Sequence, residues 1–72
     1  MEINRAKEIR KSLLMSKAEL ARKSGLSYKT LLRIEKKLPC RIDTKRKLVL
    51  ALGFKIADKG KVFPEDYASN QN

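Results

Sequence analysis

The stretch SKAELARKSGLSYKTLLRIE, residues 16–35, decides the architecture of this chain. Ser16 has the chemistry of a helix N-cap, and Glu19 three residues later completes a capping-box pattern. Leu20 and Ala21 supply an inward face until Ser24 and Gly25 stop the helix, Gly25 being suited to a left-handed backbone there. Only Leu26 separates that glycine from Ser27, a second N-cap. A second helix from Ser27 turns Leu31 and Ile34 inward and Tyr28, Lys29 and Arg33 toward solvent. The small Ala21, the glycine and the apolar Leu26, Leu31 and Ile34 let two short helices cross closely at a steep angle.

Two helices so joined form a helix-turn-helix, whose second helix is shaped to enter the DNA major groove. The residues resemble the helix-turn-helix of the Cro and lambda-repressor (Xre) family in the pattern R-x5-S-x3-LA-x3-G-L-S-x6-IE. Here those positions are Arg10, Ser16, Leu20 and Ala21, Gly25 to Ser27, and Ile34 with Glu35, and the likeness spans residues 3–53. The resemblance implies an all-α fold, a compact lambda-repressor-like bundle of four to five helices, and an ion pair between Arg10 and Glu35. Three positions depart from the family's habit. Leu14 and Lys37 stand where glycine is usual, and Ser24 where an apolar residue is common.

Length sets the scale of the core. Seventy-two residues form one domain, burying only roughly 60% of the surface of the unfolded chain. Eighteen Lys and Arg against eight Asp and Glu give a formal charge of +10. Glu65 and Asp66 lie in the polar tail, residues 64–72, so the positive charge belongs to the body, residues 1–63. Such a charge favours a polyanionic partner. Interspersed acids and the absence of Trp argue against a basic membrane-surface helix.

Histidine is absent and Cys40 is the only cysteine. This removes the usual general base, histidine-containing metal sites and any internal disulfide. No catalysis, metal or cofactor is expected. The longest apolar run is Leu48 to Leu52, with no secretory signal or membrane span, so the expected location is the cytoplasm.

Along the chain, a first helix is expected over residues 2–13, with Ile3, Ala6, Ile9 and Leu13 inward. A basic loop, KKLPCR, follows the central motif, since Pro39 disfavours helical backbone at Leu38. A fourth helix is expected over residues 42–52, with Thr44, Leu48 and Leu52 spaced by four and Gly53 as its stop; Lys45, Arg46 and Lys47 form a solvated face. In FKIADKGKVFP, Phe54 and Ile56 alternate with Lys55 before a turn-like DKGK. That pattern predicts a strand or hairpin over residues 54–63 with Lys59 and Gly60 at its tip, able to pair with a second subunit. The alternative is a loose extended tail patched onto the core by Phe54 and Phe63. The composition of residues 64–72 predicts disorder.

The resemblance carries roles onto single residues. Tyr28, Lys29 and Arg33 match positions used for base edges, while Ser27 and Thr30 match positions that touch bases or phosphates. Lys36, Lys37 and Arg41 fall in the loop that follows the phosphate backbone. Lys17 sits at a helix start, where backbone N–H groups favour phosphate. The function implied is a sequence-specific duplex-DNA regulator, a dimeric repressor on a two-fold operator. The alternative is an antitoxin that neutralises a cognate toxin protein and represses its own operon. An RNA-binding reading is weakened by the few aromatic residues and the lack of a strand-borne stacking platform.

Overall fold

The computed structural model describes residues 4–64 as a bundle of four short α-helices closed by a 3₁₀ segment. They are α1 (Ala6–Ser12), α2 (Lys17–Ser24), α3 (Tyr28–Glu35), α4 (Ile42–Ala51) and η1 (Ile56–Lys61). The all-α expectation holds, and no strand occurs among the described residues. Leu20, Leu31, Ile34, Leu48, Val49, Val62 and Phe63 are the large, fully buried side chains. Helix α2 touches both α3 and α4, while α4 also carries η1.

Both predicted caps form. Ser16 Oγ accepts the Glu19 N–H at 3.0 Å and Ser27 Oγ accepts the Thr30 N–H at 3.1 Å. Each satisfies an amide that the helix itself leaves without a partner. All four helices then end in one hydrogen-bond pattern. At the end of α2, Leu26 N–H reaches Ala21 C=O and Gly25 N–H reaches Arg22 C=O. The corresponding pairs at the other ends are centred on Leu14, Lys37 and Gly53. The middle residue is left-handed each time, with φ of 56° at Leu14, 73° at Gly25, 68° at Lys37 and 91° at Gly53. The two non-glycine residues where the family favours glycine therefore keep a glycine-like backbone. Ser24, where an apolar residue is common, is buried with its hydroxyl satisfied: Oγ donates to Ala21 C=O and accepts from Leu26 N–H.

The first helix is shorter than its periodicity suggested. It begins at Ala6 because Asn4 Oδ1 accepts the Ala6 N–H at 3.2 Å, an Asx-type turn that holds the chain off the helical path. Leu13, expected inward, is half exposed, and Met15 fills the core instead. Ile3 lies outside the described residues.

The strand or hairpin over residues 54–63 is overturned, and so is the loose extended tail. After Gly53 turns the chain, Ile56–Lys61 coil, and Val62 and Phe63 N–H both reach Lys59 C=O. This delivers Val62 and Phe63 into the protomer's own core. Full burial of such side chains contributes about 1.5–3 kcal/mol each, which an exposed two-stranded ribbon cannot match. Arg5 N–H then donates to Val62 C=O at 2.8 Å, joining the two ends of the described chain. The tail expected to be disordered, beyond Pro64, lies outside the described residues.

Candidate nucleic-acid interface

Helix α3 is built to show one face. Leu31 and Ile34 are buried against the core, so Tyr28, Lys29 and Arg33 stand outward, with Tyr28 half exposed. Its only acidic residue, Glu35, is removed from that face. Arg10 Nε donates to Glu35 Oε2 at 2.7 Å and Arg10 Nη2 to Oε1 at 3.1 Å, a bidentate pair with both side chains buried. The exposed charges of α3 are consequently all positive.

The pair also fixes orientation. Arg10 Nη1 donates to the Met15 carbonyl at 2.8 Å, so one guanidinium ties α1, the α1–α2 turn and the end of α3 together. Asn4, which the sequence reading passed over, adds a second tie: its Nδ2 donates at 3.0 Å to Ile34 C=O in the last turn of α3, a carbonyl that also accepts the Lys37 N–H. The signal for it was an asparagine, a residue that competes with helical backbone, near the start of the expected helix.

The other predicted contact residues fall into two groups. Ser27 and Thr30 stand at the N-terminus of α3, where Ser27 Oγ donates to Thr30 Oγ1 at 2.8 Å. Lys17 is the first residue of α2, Lys36 follows α3 directly, and Arg41 is the exposed residue preceding α4. Lys37, in the same loop, is partly buried: its Nζ donates to Asn4 C=O at 2.6 Å and lies 3.8 Å from the exposed Glu8. The basic cluster on α4 is also divided, since Lys45 is buried with Nζ 5.4 Å from the Phe63 ring centroid.

A helix-turn-helix family profile of the Cro/C1 type matches residues 7–58, from within α1 into the start of η1. The chain belongs to that family. It is accordingly a DNA-binding transcription regulator of the helix-turn-helix class. No curated protein and no solved structure matched the chain. No helix of the described residues is long and apolar enough to cross a membrane, and among them no group of His, Cys, Asp and Glu is placed to hold a metal ion.

Proposed function

We propose that this regulator is a cytoplasmic repressor that reads a two-fold duplex operator as a dimer, with α3 in the major groove. The observation that carries the reading is the uniformly positive exposed face of α3, left so by the burial of Glu35 against Arg10. Lys29 and Arg33 have the reach to donate to guanine, Arg33 through two N–H groups at once, and Tyr28 to cover a thymine methyl. Ser27 and Thr30 face the backbone or the first base at the helix N-terminus. Lys17, Lys36 and Arg41 grip phosphate, where they set register without reading sequence. One such domain covers little DNA, and two copies about one helical turn apart, roughly 34 Å, supply specific affinity. Val62 and Phe63 are buried in the protomer's own core, which speaks against a pairing strand over residues 54–63.

Selection of bound sites from random duplex DNA tests the whole reading, with a palindrome as the expected product. On the selected site, Lys29→Ala and Arg33→Ala should each cost about 1–3 kcal/mol and relax preference at particular base pairs. Lys17→Ala and Arg41→Ala should weaken selected and random DNA alike and lower the salt slope by about one each. Equal losses on both kinds of DNA for Lys29→Ala and Arg33→Ala would remove the base-reading role.

A further inference from the structure

Helix α4 and η1 leave a cleft between them. Ile42, Val49, Ile56 and Phe63 form its apolar lining, and Lys45, Arg46 and Lys59 its charged one. Its volume is about 70 Å³. A cavity of about 150 Å³ accepts a benzene ring, so this space suits one aliphatic or partly inserted aromatic side chain. The apolar mouth is open to solvent, with Ile42 63% and Ile56 39% exposed. Isolated exposed apolar residues are ordinary, but these two line a shaped recess.

Charge decides what fits there. No carboxylate lines the cleft among the described residues. Between residues 42 and 61 the chain has six Lys and Arg but only two acids. Both acids already face neighbouring cations, Asp43 at 3.5 Å from Arg46 and Asp58 at 3.9 Å from Lys61. A second copy of this chain pressed onto the same face would set cations against cations. Phosphate would meet the charges but offers nothing to Ile42 and Ile56. We propose that the α4–η1 cleft docks a short acidic segment of a partner protein, carrying one leucine- or phenylalanine-like anchor between carboxylates. The anchor enters among Val49, Ile56 and Phe63, and the carboxylates meet Arg46 and Lys59. Ile56 and Lys59 lie outside the residues assigned to DNA, so the cleft and the DNA contacts can be altered separately. The proposal does not depend on which operator is read.

The test uses the full chain and a fluorescent peptide of alternating glutamate and leucine with a central phenylalanine, titrated by anisotropy. Saturable binding that weakens with salt is expected, as for screened surface charges. The analogue with glutamine for glutamate, and the one with serine for leucine and phenylalanine, should each bind at least about tenfold more weakly, a difference of about 1.4 kcal/mol. Ile56→Asp and Lys59→Glu should weaken the parent peptide by a similar factor while circular dichroism and DNA binding stay unchanged. Both positions are partly exposed, so at least one variant will report on a folded protein. Equal binding of the glutamine analogue, or indifference to both variants, overturns the proposal. So does displacement of the peptide by duplex DNA, which would make the cleft a phosphate site. A dimer in sedimentation that Ile56→Asp dissociates would assign the cleft to a second copy. Tighter peptide binding after removal of residues 65–72 would assign it to the chain's own acidic end.

Discussion

Helices α1 and α2 end in the same hydrogen-bonded geometry but on opposite kinds of residue. The α2 end turns on Gly25, where a left-handed backbone carries no side-chain penalty. The α1 end turns on Leu14, whose side chain is 93% exposed. It therefore gains no burial to set against a left-handed cost of roughly 1–2 kcal/mol. What differs is the bracing. Among the described residues the hydrogen bonds at the Gly25 turn are local, from its own motif and Ser24, whereas the Leu14 turn is clamped by Arg10 through the Met15 carbonyl. The Lys37 turn is braced likewise, by its own ammonium on Asn4 C=O. A turn can thus keep a glycine's shape without glycine when a remote, well-paired side chain over-determines it.

The comparison breaks most visibly at the brace. Arg10→Ala should cost about 3–5 kcal/mol in chemical denaturation, because it leaves Glu35 buried without its cation and releases the Leu14 turn. Replacing both members, as Arg10→Met with Glu35→Leu, should recover most of that loss, since a buried pair replaced whole is often neutral. If the double variant is as unstable as the single one, the clamp on Met15 rather than the ion pair is the larger contribution.

Gly25→Ala should come next, lowering stability by about 1–2 kcal/mol in the same measurement. No atom lies within 4 Å of a Cβ at that position, so the loss would be backbone strain alone. Leu14→Gly tests the reverse, and thermal unfolding should show a gain of about 1 kcal/mol, reduced by the greater freedom of glycine in the unfolded chain. Lys37→Gly should change stability least, within about 0.5 kcal/mol, because relief at φ 68° is offset by loss of the Asn4 contact. A gain there as large as at Leu14 would show that the ammonium contributes nothing.

These turns also mark where the sequence was legible. The caps at Ser16 and Ser27, the stops at Gly25 and Gly53 and the inward Leu20, Leu31 and Ile34 are local chemistry, set within a few residues. The Arg10–Glu35 pair spans 25 positions and was legible only through the family pattern. Asn4 was not, because its role depends on a carbonyl 30 positions away. The segment after Gly53 misled for a related reason. Over so few residues, alternation of Phe54, Lys55 and Ile56 cannot separate a strand from a turn that delivers Val62 and Phe63 to a distant core. At the interface, exposure of Tyr28, Lys29 and Arg33 followed from the helical period. The contact of Lys37 with Asn4 C=O required knowing that the N-terminal segment lies within its reach.

The hydrogen bond from Arg5 to Val62 brings the first and last described segments side by side. Ends that meet can be joined, and a chain is then free to start elsewhere. A circular permutant linking residue 64 to residue 4 and opening between Pro39 and Cys40 would cut in the loop between α3 and α4 while keeping every helix whole. Fusion partners could then leave from the loop between α3 and α4 rather than from beside Arg5 and Val62.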